Sequence, residues 1–337
     1  MERHVKKLVL AGAALLAVAG AGVAQNAAAP AKGAALDQSV LEAQVLLDRA
    51  DFSPGVIDGQ GGPVFEAAVR GFQQAHDIEE SGKIDDATRQ ALAEGAVPAT
   101  IRLRVDEGDA QGPFVGPIPH DPAVQAGMQR LGYRNLLEKL AEKFHTTPET
   151  IVALNNPKTV LRAGTVLVLP NVLPSARAYG NAKPEVAQLL SDLNVDPNQK
   201  QADKVVVDKS DKLVRVYAED GTMIAQFPAT LGSSKDPLPL GNWKVNTIAF
   251  NPPFKYQPQL FWDVPDDQPE RMLPPGPNGP VGVVWVDLNR ENIGIHGTNS
   301  PETIKRAESH GCVRLTNWDV ARLTQMISDG MEVVFQA

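Results

Sequence analysis

Cysteine is almost missing from this sequence: Cys312 is the only one in 337 residues. A single thiol excludes an internal disulfide framework and leaves a structural zinc site without its cysteine pairs. Basic clusters are lacking as well. The chain carries 32 Lys and Arg against 40 Asp and Glu, a formal net charge of −8, with no Lys/Arg run or zinc-finger spacing. Nucleic acid is therefore excluded as a partner, and the acidic balance suits a solvated surface better than one held on anionic lipid. Long apolar stretches are confined to the first residues; beyond Val23 nothing is apolar enough to span a bilayer.

What is present begins with Arg3, Lys6 and Lys7, followed by an apolar run from Leu8 to Val23. Gly22 and Ala24 place small residues at −3 and −1 of a cut after Ala24. This is the pattern of a secretory signal peptide over 1–24; the run is short of the roughly 20 residues that an uncleaved span needs. No cysteine lies near the cut, so a lipid anchor is not expected. Three basic residues and one acidic residue leave with the signal, so the mature chain would carry −10. The expected location is periplasmic, with no membrane span after cleavage. A chain of this length, 43% hydrophobic and 21% charged, has room for two or three domains.

An Ala/Pro-rich tether, 25–35, precedes a helical segment at 36–95. Val40, Ala43, Leu47 and Ala50 share one helix face, as do Phe65, Ala68, Val69 and Phe72, and Pro63 suits a first helical position. Two similar turns, Gly55-Val56-Ile57-Asp58 and Gly82-Lys83-Ile84-Asp85, recur 27 residues apart, each with an Asp placed to cap the next element. In the order G-x-I-D, AV-x-x-FQ, G-x-I-D, T-x-x-AL, this small helical bundle resembles the peptidoglycan-binding-like module of cell-wall enzymes. Proline and glycine density marks 96–121 as an irregular linker. Residues 125–173 read as a short element, two helices and a strand: Leu136, Leu140 and Phe144 at helical spacing, Pro148 opening the second helix, then "AGTVLVLP". That run resembles a LysM-like α/β module without an evident opening strand. His145 is expected to be a capping or surface residue. Residues 174–200 form a second linker with some helical character. From Lys204 onward, "KVVVD", "KLVRVYAEDGTMIAQFPAT", "NWKVNTIAF", "VGVVWVDL" and "MEVVF" predict a mainly-β domain over 202–336, with Asp220-Gly221 as a hairpin turn. The whole chain is thus expected to be multidomain α+β.

Two segments carry chemistry, "IGIHGTNSP" (293–301) and "ESHGCVRLTNWD" (308–319). If Ser309–Leu315 is extended, His310, Cys312 and Arg314 point to one side, and Gly311 lets a substrate backbone approach. Thr316 and Asp319 form a capping-box-like start for a helix through Leu323. An imidazole, from His296 or His310, beside a thiol supports nucleophilic acyl transfer through a thioester. The other histidine, or backbone N–H groups around Gly311, would stabilise an oxyanion. Three zinc ligands, His296, His310 and Cys312, are the alternative, without an H-E-x-x-H motif to support it.

The run "IHGTNSPETIKRAESHGCVRL" resembles the signature of the L,D-transpeptidase catalytic domain, the YkuD fold, over roughly 203–336. That resemblance implies Cys312 as nucleophile, His296 as general base, and His310 with Gly311 on the oxyanion side. Arg314 would meet a substrate carboxylate, with Ser309 and Thr298 beside the substrate. Lys305 stands where this branch often has Gly, and Gly297 where some members carry Ser. The resemblance further implies peptidoglycan as partner: a stem tetrapeptide donor that loses terminal D-Ala, and an amine acceptor on another stem or on a wall-anchored lipoprotein. It implies carbapenem inhibition and no cofactor or metal. An L,D-carboxypeptidase or cross-link hydrolase and a non-catalytic wall-binding protein remain the alternatives. Finally, 251–280 holds nine prolines, and Phe254, Tyr256, Phe261 and Trp262 cluster in it. This loop is either a lid over the acyl site or a segment pinned to the core by its aromatics.

Overall fold

The computed structural model describes residues 36–95, 97–261, 264–265 and 267–337. The expected signal peptide, the tether at 25–35 and Trp262 lie outside them. Among the described residues no helix is long and apolar enough to cross a membrane.

The first helix, α1 (Gln38–Arg49), starts where the Asp37 carboxylate accepts from the Ser39 and Val40 N–H groups. Pro63 opens α2 (Pro63–Ala75), as its spacing predicts. Asp85 caps α3 (Asp86–Ala93), accepting from the Thr88 N–H at 2.9 Å. The first repeated turn differs: Asp58 takes the Gln60 N–H (2.9 Å) and Gln44 Nε2 (3.0 Å), and the cap position of α2 falls to Gly62. Leu47, Phe52, Val69, Phe72 and Leu92 form the core of this bundle, together with Met223 from the C-terminal domain.

A strand, β1 (Thr100–Arg104), occupies part of the expected linker at 96–121. Its antiparallel partner β2 (Val166–Pro170) lies far along the chain, with Thr100 opposite Pro170 and Arg104 opposite Val166. A five-residue strand with so distant a partner leaves little local signature amid prolines and glycines. Between them run the one-turn helices α4 (Glu107–Ala110) and α5 (Pro122–Gln125), then α6 (Leu136–Lys143) and α7 (Pro148–Leu154). Leu140, Phe144, Ile151, Leu167 and Leu169 close a second core, shared with Leu41 and Val45 of α1.

The helix α8 (Pro184–Asp192) leads into the C-terminal domain, where its Leu190 is buried. The strands of that domain are β3 (Lys204–Asp208), β4 (Leu213–Tyr217), β5 (Met223–Pro228), β6 (Gly241–Phe250), the hairpin β7 (Phe254–Tyr256) and β8 (Arg271–Leu273), β9 (Val284–Leu288), β10 (Gly294–His296), β11 (Val313–Arg314) and β12 (Glu332–Gln336). All but the hairpin join one sheet in the order β11-β10-β9-β6-β12-β3-β4-β5. Within that sheet β10 with β11 and β12 with β3 run parallel. The helix α9 (Asn317–Leu323) starts at the Thr316 cap and buries every residue. Trp318, Val320 and Leu323 fill the sheet core.

The three parts share interfaces. Gln226 in the edge strand β5 receives the Ser53 N–H on its carbonyl and donates its own N–H to Asp51, both at 2.9 Å. Gly71 of α2 lies against it: a Cβ there would sit 2.5 Å from the Gln226 side chain. His145, expected to be a capping or surface residue, follows α6 in the left-handed region (φ +53°) and is fully buried where all three parts meet. Its Nδ1 lies 3.1 Å from both Asp48 oxygens, its Nε2 lies 2.8 Å from the Leu193 carbonyl, and its ring stacks on Trp318 at 5.2 Å. Arg322 donates to the same Asp48 carboxylate at 3.0 Å. Burial alone would raise Asp48, but Arg322 and His145 outweigh it and hold the carboxyl well below the ordinary carboxylate range. Burial dominates at Asp51 and Asp319, raising each to about 6.

Candidate active site

The strand β10 lies between β9 and β11, with Ile295 opposite Val286 and Val313, and His296 opposite Trp285 and Arg314. Ile295, Val286 and Val313 are fully buried in the sheet core. Alternation therefore puts His296, Trp285 and Arg314 on the other face, and Cys312 joins them beside Gly294. Gly294 is required here, since a Cβ would lie 2.6 Å from the Trp285 ring. That ring stacks on His296 at 5.6 Å with an interplanar angle of 21°. Trp285 was not singled out in the sequence; its only signal was an aromatic on the non-core face of a strand.

The Ser309–Leu315 segment is not extended throughout. Gly311 has φ +94°, so the chain turns just before β11. Cys312 and Arg314 keep a common face, and His310, before the turn, meets the Phe261 ring edge-on at 4.9 Å. On its far side the segment is held by Ser309 N–H to Leu231 O, Ser233 N–H to Ser309 O, and paired bonds between Thr230 and Arg314. Ser309 is buried and its hydroxyl donates to the Cys312 carbonyl at 2.6 Å. Thr298 is buried too and accepts from the Ser300 N–H at 3.2 Å. Both side chains shape backbone turns beside the site.

The electrostatics arise from this packing. Burial, then the nearby Arg314 charge, pushes His296 down to about 3 against the opposing pull of the Gly297 carbonyl. Burial raises the Cys312 thiol, and the Gly294 backbone and Arg314 only partly offset it. At neutral pH the site therefore rests as a neutral imidazole and a thiol. His296 Nδ1 lies 2.7 Å from the Gly297 carbonyl, an acceptor, so Nδ1 carries the proton and Nε2 keeps its lone pair. The thiol donates to the Asn292 carbonyl at 3.4 Å. The half-buried Arg314 guanidinium has no carboxylate in ion-pairing range among the described residues, and its Nε lacks any hydrogen-bond partner. Such a cation is ready for an anionic ligand group. No group of three metal-ligating side chains is assembled among the described residues.

Of the two departures from the family pattern, the lysine sits in a glycine-favouring conformation and the glycine has a steric cause. Lys305 has φ +65°, a conformation that glycine adopts without cost. At Gly297 a Cβ would lie 2.0 Å from Asn317 Oδ1, so no side chain fits.

Residues 202–335 match the family described as "L,D-transpeptidase catalytic domain", and 37–92 match the "Putative peptidoglycan binding domain". The "Putative L,D-transpeptidase YkuD" of Bacillus licheniformis is 44% identical over 59 residues, 18% of this chain and 36% of that protein. The chain thus spans about a third of that relative. The "Putative L,D-transpeptidase YqjB" of Bacillus subtilis is 26% identical over 39% of this chain and 69% of its own length. Among solved structures, an L,D-transpeptidase from Mycobacterium smegmatis matches 40% of this chain and 59% of its own at 24% identity, with a TM-score of 0.33. The chain therefore carries an L,D-transpeptidase catalytic domain at its C-terminal end and a peptidoglycan-binding domain ahead of it.

Proposed function

We propose that this chain is an exported, periplasmic cysteine L,D-transpeptidase that remodels peptidoglycan. The observation that carries the reading is the placement of Cys312 on the face of His296, whose Nδ1 is held by Gly297 while Nε2 keeps its lone pair. As a stem-peptide carbonyl is attacked, His296 Nε2 takes the thiol proton and Cys312 Sγ bonds to carbon. Donors beside His310 and Gly311 stabilise the tetrahedral oxyanion. Collapse breaks the C–N bond, the amine of D-Ala leaves with the proton returned by His296, and a thioester remains. An acceptor amine on a second stem, or on a wall-anchored lipoprotein, then attacks it and restores the thiol. Arg314 would hold a substrate carboxylate. Carbapenems would acylate the same sulfur.

The β-α-α-β order of β1, α6, α7 and β2 supports a LysM-like, glycan-binding role for the middle unit. Export rests on the N-terminal 24 residues. The test is a mass-spectrometric time course of the mature protein with disaccharide-tetrapeptide, beside a Cys312→Ala control. Cross-linked dimers with loss of D-Ala, absent from the control, are the expected products. Tripeptide alone would replace transfer with hydrolysis, and no product with no thioester would leave a wall-binding protein.

The Phe261–His310 contact favours the lid role for the 251–280 loop, since Phe261 reaches the segment that carries Cys312. Shortening the loop between β7 and β8 is expected to raise KM and lower turnover. Unchanged values of both would leave the loop as a pinned surface segment.

A further inference from the structure

Asn317, the first residue of α9, uses its whole carboxamide inside the protein and is 1% exposed. Its Oδ1 accepts the Val283 N–H at 3.1 Å; its Nδ2 donates to Glu142 Oε1 at 2.5 Å and to the Pro277 carbonyl at 3.2 Å. The same Oδ1 occupies the space that side chains at Gly282 and Gly297 would need, 1.9 and 2.0 Å from their absent Cβ atoms. Gly297 supplies the carbonyl that fixes the His296 tautomer, and its own N–H is held by Val281 O at 3.1 Å. One amide group thus wedges the two backbone turns that carry the base.

The wedge is held from outside the catalytic domain. Glu142 belongs to α6, and the edge of that unit is joined to the 275–278 loop by several bonds. Leu131 N–H donates to Pro275 O, Asn278 N–H donates to Leu131 O, and Asn278 Nδ2 donates to Gly132 O at 2.9 Å. Gly276 permits this approach: a Cβ there would lie 2.2 Å from the Leu131 carbonyl. We propose that Glu142 and Asn317 are a positioning pair through which the seated 100–170 unit fixes His296, so that the base is aimed at Cys312 only while that unit is docked. This rests on the reading of His296 as base and deepens it: the middle unit completes the active site besides any part it has in holding glycan.

The test measures alkylation of Cys312 by iodoacetamide across pH in the mature full chain, with a melting curve for each variant. Wild type and Glu142→Gln, which keeps the accepting oxygen, are expected to share one profile, slow but measurable at neutral pH where His296 assists loss of the thiol proton. Glu142→Met is expected to react on the order of tenfold more slowly near neutrality, as a base displaced by a fraction of an ångström would. It should converge with wild type at high pH, where the thiolate forms unaided. A folded Glu142→Met that matches wild type at every pH, or one slowed equally at every pH, would overturn the proposal. Should Glu142→Met fail to fold, Glu142→Ala, which admits water in place of the carboxyl, carries the same comparison. Because alkylation needs no peptidoglycan, separated profiles with no cross-linked product would count against the transpeptidase reading and leave the pair standing.

Discussion

A His296→Gln variant is expected to turn over a tetrapeptide donor roughly 10²–10⁴-fold more slowly than wild type, the usual contribution of a positioned general base. The size reflects the resting state. Burial raises the Cys312 thiol, so little thiolate exists at neutral pH and, on the proposed reading, its attack depends on proton transfer. Glutamine keeps the volume between Trp285 and Arg314 but supplies no basic nitrogen. The pH dependence has a definite sign. His296 is held down to about 3, so the imidazole remains neutral and competent above that value and loses its basicity as pH falls through it. The acid limb of wild-type kcat/KM is therefore expected well below the ordinary histidine value of about 6.5. A limb centred near 6.5 would mean that His296 is solvated, or that another group is the base. The measurement is steady-state kinetics of both proteins from acid to mildly alkaline pH.

Asp48→Ala is expected to cost about 3 kcal/mol of stability, because it removes the carboxylate that two buried groups share and leaves Arg322 only the 3.6 Å approach of Asp51 as an ion pair. Arg322 is 4% exposed and His145 is fully buried, and Asp48 is the carboxylate that both approach within 3.1 Å. An exposed ion pair would be worth less than about 1 kcal/mol, so a loss that small in urea unfolding would rule out the junction as described. The wild-type carboxyl is depressed below its unfolded value. Its stabilising contribution is present above the unfolded carboxylate range and is lost as pH falls through the depressed folded value. The deficit of the variant should therefore be largest near neutrality and shrink in strong acid. Since Asp48, His145 and Arg322 come from three different parts of the chain, those parts are expected to lose cooperativity together.

What could be read in the sequence and what could not divide along contact range. The helical bundle, the strands from Lys204 onward and the Thr316 cap came from patterns that repeat within a few residues, where hydrophobic period and capping chemistry act locally. Cys312 and His296 came from a dense motif, and His296 pairs in register with Arg314 across β10 and β11. The misses need a distant partner. The strand β1 exists because Val166–Pro170 lies beside it. The burial of His145, expected as a capping or surface residue, depends on Asp48, 97 positions earlier, which cannot be seen from its neighbours. The extended course expected for Ser309–Leu315 breaks at a single dihedral, the positive φ of Gly311, which alternation cannot foresee. Asn317 and Glu142 are ordinary helix residues until the fold sets them against each other.

The seating of the helical bundle on β5 has a consequence for solubility. A sheet's outermost strands offer unpaired N–H and C=O groups to any other strand that drifts by. Here one border is met at its midpoint by Asp51–Ser53, and the opposite border, β11, is met by Thr230. The bundle therefore doubles as a guard against strand addition. A fragment cut free at residue 202 would keep Cys312 and His296 yet uncover Gln226 and its neighbours. Such a piece would be prone to stick to copies of itself, and handling the catalytic half alone would call for a charged or proline substitution along β5.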